Sequence, residues 1–246
     1  MNRRDATSAN RMSASHLCTQ LRVRHDELVE RLVRYYDPDG GFSGREFDPS
    51  DASQLSEHGH VTEGDLASLA KLSVTLKEPA RSELLRGETH ERLEELLLNI
   101  AVNQDLHSFE SNPLTPDSAA WQAWNILVVR GSKSENMKGF GAVRASKLLA
   151  RKRPHLIPIY DQVIGCVFGF KTPAGHWQWM YETLIANDYE LVNRLKLLRV
   201  DGAAAIPRIS QISLLRILDV VVWMDHQSVH PTGRSSSQCP TPQPWG

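Results

Sequence analysis

The chain has little cysteine, no long apolar run and almost no net charge, and each shortage closes off a class of protein. Its three cysteines, Cys18, Cys166 and Cys239, are odd in number and far apart, which argues against a disulfide scaffold and against Cys-x-x-Cys metal or redox sites. A reducing, cytoplasmic setting is the expectation. The most apolar stretch, Ile217 to Met224, is interrupted by Asp219 and falls far short of the roughly 20 residues that span a bilayer, so no membrane partner is expected. Residues 1–12 carry arginines without an apolar centre, unlike a secretory signal. With 28 Lys plus Arg against 29 Asp plus Glu, the molecule as a whole has no electrostatic pull on nucleic acid or lipid. Any attraction must come from uneven placement.

Motifs for cofactors and metals are missing as well. Ten histidines are present, yet none forms a His-Glu-x-x-His pairing, and His58-Gly-His60 lies in a loop without a nearby cysteine. The Asp37 to Asp48 stretch fails as a calcium loop, because Phe42 occupies the position that needs glycine and Asp48 the position that needs glutamate. No Walker loop, dinucleotide fingerprint or nucleophile elbow occurs. No cofactor and no metal is expected.

What the sequence does hold is helical periodicity. Leu17, Leu21, Leu28, Leu32 and Val33 recur at helical spacing within Ser15 to Tyr36. A second helix follows Thr62 as its cap, with Leu66, Leu69 and Leu72 on one face, and a third runs from Thr89 to Asn103. Thr115-Pro116-Asp117 reads as a helix start, leading a fourth helix to about Arg130. Ala142 to Lys152 is a clear helix, two more cover Trp177 to Leu198, and a last one from Ser210 to Met224 is apolar on most sides. These elements predict an all-α fold, one helical domain over residues 15–224, with a loose basic start at 1–14. Residues 225–246, rich in Ser, Pro, Gln and Gly, are expected to be a disordered tail.

One segment carries chemistry. Gly139-Phe140-Gly141 precedes the helix from Ala142, where two glycines permit a tight turn anchored by the phenylalanine. Amide groups at such a helix start form an anion site, and a nucleic-acid phosphate suits it. Around it, Arg130, Lys133, Lys138, Arg144, Lys147, Arg151, Lys152 and Arg153 give eight cations against the single carboxylate of Glu135, a local +7 in a chain whose total is −1.

The run Lys138-Gly-Phe-Gly-Ala-Val-Arg-Ala-Ser-Lys-Leu-Leu, followed by Ile157-Pro-Ile-Tyr-Asp161-Gln-Val-Ile, resembles the helix-hairpin-helix and Gly/Pro-Asp motif of base-excision DNA glycosylases. The hairpin would span about 117–152, and Gly141 precedes Asp161 by the twenty positions usual there. The resemblance covers Lys138 to Val163 only. It implies DNA as partner, held through its backbone phosphates by Lys138, Gly139, Phe140, Gly141, Arg144 and Lys147, and Asp161 as the carboxylate that stabilises an oxocarbenium-like sugar. Val143 stands where bifunctional members have lysine, so the resemblance implies a monofunctional enzyme without lyase activity. Lys138 replaces the usual proline, and the iron–sulfur cysteines are absent. A longer likeness, from Ala145 to Asp161 and again from Ser213 to Met224, is to an uncharacterised bacterial family without assigned activity.

Alternatives stay open at this level. Asp161 serves equally as the cap of a helix beginning after Pro158. Trp177, Trp179 and Tyr181 offer rings for a flipped base, or simply pack. The rival to a DNA-binding protein is a non-enzymatic helical protein that uses the hairpin for packing or protein contact. The sequence sets no oligomeric state.

Overall fold

Leu17, Leu21, Leu28 and Leu32 do bury one side of the first helical stretch, but the chain divides it into α1 (Ala14–Val23) and α2 (His25–Tyr36), because Arg24 leaves helical geometry at φ −106° and ψ 21°. In this computed structural model, which describes residues 11–49, 59–128, 137, 140–170, 172–228 and 245, nine further helices follow and no strand occurs among the described residues. They are α3 (Glu63–Lys71), α4 (Glu78–Arg86), α5 (Glu88–Leu98), α6 (Ala119–Leu127), α7 (Ala142–Lys152), α8 (Gln162–Phe168), α9 (Pro173–Ile185), α10 (Glu190–Ala205) and α11 (Leu214–His226). The fold is all-α.

Local chemistry sets most of the boundaries. Thr62 Oγ1 accepts the Asp65 amide while Asp65 accepts the Thr62 amide, a reciprocal capping box at α3. Ser118, and not Thr115, caps α6 by accepting the Trp121 amide at 3.2 Å. The Thr115 carbonyl closes a turn onto the Ser118 amide instead. The third expected helix starts at Glu88 and ends at Leu98, and α4 lies in a stretch with no clear apolar period. Neither α4 nor the short α8 stands out in the sequence as a separate element.

A single buried apolar cluster runs from Met12 through every helix to Met224 and includes Trp245. α2, α10 and α11 pack on one another on one side, and α7 lies between α3 and α6 on the other. The last helix extends to His226, and Trp245, in the expected tail, is buried with the Arg24 guanidinium 5.4 Å from its ring centroid. Cys166 is disulfide-bonded, whereas Cys18 is free and buried. That bond departs from the expectation against a disulfide framework, because separation in sequence says nothing of separation in space. No helix among the described residues is long and apolar enough to cross a membrane.

Candidate functional site

α11 is buried along most of its length, so its two charged residues near the start need partners. Ser213 caps the helix, accepting the Arg216 amide at 3.2 Å. The Arg216 guanidinium then reaches four groups. It donates through Nε to Asp48 Oδ2 (3.2 Å), to Asp219 one turn along, to Tyr35 Oη (2.6 Å) and to the Gly44 carbonyl (3.2 Å). It also stacks between the Tyr35 and Phe47 rings, 5.3 and 5.4 Å from their centroids. Burial works against its charge, yet the surrounding acidic groups hold its pKa well above the ordinary arginine value.

The loop after α2 wraps this arginine. Gly41 takes the left-handed conformation (φ 79°), which a side chain would resist, and so turns Phe42 back over Tyr35, with the rings stacked at 5.6 Å. Gly44 has no room for a Cβ, which would lie 2.0 Å from Tyr35 Oη. Trp223, two turns beyond Arg216, meets Phe42 edge-on at 6.2 Å.

Opposite these rings stand α7 and the Ile157–Asp161 segment. Ser146 Oγ accepts the Tyr160 amide at 2.7 Å and donates to the Pro158 carbonyl at 3.3 Å, tying that segment to α7. Asp161 then caps α8: its Oδ1 accepts the Ile164 amide at 3.0 Å. Its Oδ2 faces Lys147 Nζ at 3.9 Å, and that ammonium also donates to the Leu72 carbonyl at 3.1 Å. Leu72 ends α3, and Ser73 follows at φ 60°, a conformation uncommon outside glycine. Together these walls enclose a cleft of about 370 Å³, lined by Tyr35, Phe42, Ser73, Lys147, Asp161, Asp219 and Trp223 among others. Burial pushes the Asp219 carboxyl up to about 6, with Asp161 adding to the rise and Arg216 and Lys147 opposing it. Burial likewise raises the Tyr35 hydroxyl.

The chain belongs to DUF6308, a family of unknown function, whose model matches residues 28–226. No curated protein and no solved structure matches it. The matched span of this DUF6308 chain takes in every residue that lines the cleft, from Tyr35 to Trp223, and leaves out α1 and Trp245.

The expected site residues separate into three groups. Asp161 and Lys147 meet in the cleft, Phe140 is buried and Gly141 is exposed at the start of α7, with Arg144 half-buried one turn on; Lys138 and Gly139 lie outside the described residues. Three of the eight cations counted around the hairpin turn inward. Arg151 and Lys152 are buried on Asp65, with Arg151 also donating to the Phe47 carbonyl at 2.6 Å. Arg153, 1% exposed, donates to the carbonyls of Ile100, Lys152 and Leu97. These cations are internal struts, because α7 is enclosed by α3 and α6 and its long side chains run inward to acceptors. The rings weighed for a flipped base pack elsewhere. Trp177 is fully buried against Trp121, Trp179 donates to the Met12 carbonyl, and the Tyr181 hydroxyl donates to the Phe109 carbonyl; none lines the cleft.

The residues that do line it, Tyr35, Phe42, Arg216, Asp219 and Trp223, were missed. One signal existed: Arg216 and Asp219 interrupt an otherwise apolar helix, and charges placed inside a buried helix mark a site or a network.

Proposed function

We propose that this protein is a DNA-binding protein of glycosylase-like architecture that releases a base from an extruded nucleotide, with Asp161 as the carboxylate beside the sugar. The observation that carries the reading is the divided use of Asp161, whose Oδ1 is fixed by the Ile164 amide while Oδ2 opens onto the cleft opposite Lys147. A carboxylate locked by a helix start and bordered by one ammonium is preorganised to meet developing positive charge. The volume of about 370 Å³ falls within the range of small-ligand pockets. Phe42 and Trp223 supply aromatic faces for a base.

Gly141 supports the backbone contact. It is exposed, its φ is −89°, and a Cβ there would meet nothing within 4 Å, so the fold does not require glycine at this point. A phosphate approaching the amides of the first turn of α7 does, because a side chain would hold it off. Gly141, Arg144 and Lys147 succeed one another at i, i+3 spacing, and α7 climbs about 9 Å from the turn to the cleft. One strand thereby spans both. With Lys147 engaged by Asp161 and the Leu72 carbonyl, and Val143 in the lysine position, the expected product is an intact abasic strand.

A second reading is favoured by the burial of Arg151, Lys152 and Arg153, which removes cations from the outer face: the cleft acts on a free nucleoside, and the α6–α7 pair serves packing alone. The test is a base-release assay on single- and double-stranded oligonucleotides carrying a panel of damaged bases, alongside free nucleosides, with strand scission scored before and after hot alkali. Release from oligonucleotides, lost in Asp161→Asn while folding and binding persist, is expected. Release from nucleosides alone selects the second reading, and no release from any substrate sinks both.

A further inference from the structure

Lys147 and Asp161 face each other without touching. The ammonium and Asp161 Oδ2 stand 3.9 Å apart, beyond the about 2.7–3.2 Å of a hydrogen bond, although the two side chains are mostly buried, 11% and 14% exposed. Opposite charges in such a setting ordinarily close up. Main chain holds these two back. Lys147 Nζ donates to the Leu72 carbonyl at 3.1 Å, and Asp161 Oδ1 accepts the Ile164 amide at 3.0 Å. The Leu72 carbonyl is available because α3 ends in a left-handed turn, in which the Ser73 amide bonds the Ala70 carbonyl and the Val74 amide that of Leu69.

Each group therefore has bonding capacity left over. Among the described residues, that carbonyl is the only hydrogen-bond acceptor of Lys147 Nζ, which leaves donors of the ammonium unused, and Asp161 Oδ2 accepts no hydrogen bond. Both residues line the cleft. An atom placed in the gap between them touches both charges. An anion there meets Asp161 and a cation there meets Lys147, whereas one neutral oxygen accepts from Lys147 and donates to Asp161. Set about 2.8 Å from each, such an oxygen would see them at an angle of about 90°, which a hydroxyl can satisfy.

We propose that Lys147 and Asp161 together bind one neutral oxygen that carries a hydrogen: the water that enters base release and, once the base has left, the anomeric hydroxyl of the abasic sugar. The gap stands on geometry alone, and the identity of its oxygen rests on the base-release reading above. In the step, the bond between the anomeric carbon and the base nitrogen breaks, and its electron pair leaves with the base, which takes a proton from solvent. The water in the gap adds its oxygen to the anomeric carbon, and its surplus proton passes to Asp161 Oδ2 and on to solvent. One water is consumed, with no net change in protons. The protein also becomes a holder of its own product, because the hydroxyl made in the gap stays bonded on both sides.

The test uses two oligonucleotides that differ by a single hydroxyl: one carries a natural abasic deoxyribose, closed to its hemiacetal, and the other a tetrahydrofuran at the same position. The wild-type protein should bind the natural site roughly tenfold or more tightly. Lys147→Met should lose that preference while keeping its affinity for the tetrahydrofuran, and should lower kcat for base release by roughly tenfold or more. Lys147→Arg guards against a Met variant that fails to fold: its longer fork reaches Asp161 directly and fills the gap, so the preference should vanish although the charge is kept. Equal wild-type affinity for the two sites, or full preference in Lys147→Arg, overturns the proposal and leaves base release standing. If neither oligonucleotide binds, 2-deoxyribose and its 1,4-anhydro counterpart are compared by NMR titration under the same criterion. Preference for the hydroxyl without base release from any substrate overturns the reaction and leaves the gap as a hydroxyl site.

Discussion

Replacing Arg153 by methionine tests whether the basic run is interior structure. Its guanidinium is 1% exposed and donates to the carbonyls of Leu97 and Ile100, at and just beyond the end of α5, and to that of Lys152 at the end of α7. Burial alone draws its pKa down to about 10, so the group remains charged at neutral pH. Methionine keeps much of the apolar stem but supplies no donor, and the helix-end carbonyls are left dry. Each buried acceptor without a partner costs about 1–3 kcal/mol. Because the three accept from one guanidinium, the losses do not simply add, and a total of about 3–5 kcal/mol is expected. For a chain of this size that is a fall in melting temperature of roughly 6–20 °C. Urea unfolding should show a lower midpoint with an unchanged slope. A cost under about 1 kcal/mol, within the usual spread for surface positions, combined with weaker DNA affinity, would refute the reasoning and return Arg153 to the outer face.

Three more outcomes follow from the same structure. His176 is fully buried against Phe168 with no hydrogen-bond partner at either ring nitrogen, and burial depresses its pKa to about 3. The unfolded chain takes a proton below about 6.5 and the folded one does not, so this stability is complete above 6.5 and drains as pH falls toward 3. His176→Phe should cut the loss of stability between pH 7 and 4.5 by about 3 kcal/mol, and an unchanged acid limb in calorimetry would count against it. Gly44→Ala should cost about 1–3 kcal/mol and weaken ligand binding in the cleft, since its Cβ would collide with Tyr35 Oη and displace Arg216; calorimetry and ligand titration check both. Gly141→Ala, in open space, should change stability by less than about 1 kcal/mol while reducing oligonucleotide affinity on all sequences alike, and equal affinity for both proteins would remove the phosphate contact.

Helices were legible where one apolar face repeats, as in α2, α7 and α11, and less so where the chain bends or the face is short, as at Arg24, α4 and α8. Asp161 was legible as a helix cap, which its Oδ1 is, while its Oδ2 faces Lys147 in the cleft. The basic run misled because charge density along a chain is not charge density on a surface. Arg151, Lys152 and Arg153 lie on a helix enclosed by others, and their acceptors, Asp65, Ile100 and Leu97, are distant in sequence. The aromatic wall was invisible for a related reason: Tyr35, Phe42 and Trp223 come from opposite ends of the chain, whereas the neighbouring Trp177, Trp179 and Tyr181 face other surfaces. Asp219 stands in the sequence only as an interruption of an apolar run, and its pairing with Arg216 shows in the fold.

The central claim is that Asp161 offers negative charge to a cationic sugar in the cleft. The most direct measurement compares two oligonucleotides identical except at one abasic position, one bearing a neutral tetrahydrofuran and the other a cationic pyrrolidine. If the site complements a developing positive charge, the wild-type protein binds the pyrrolidine roughly tenfold or more tightly than its neutral twin, and Asp161→Asn abolishes the difference without losing the common affinity. Equal binding of the two by the wild-type protein would contradict the claim.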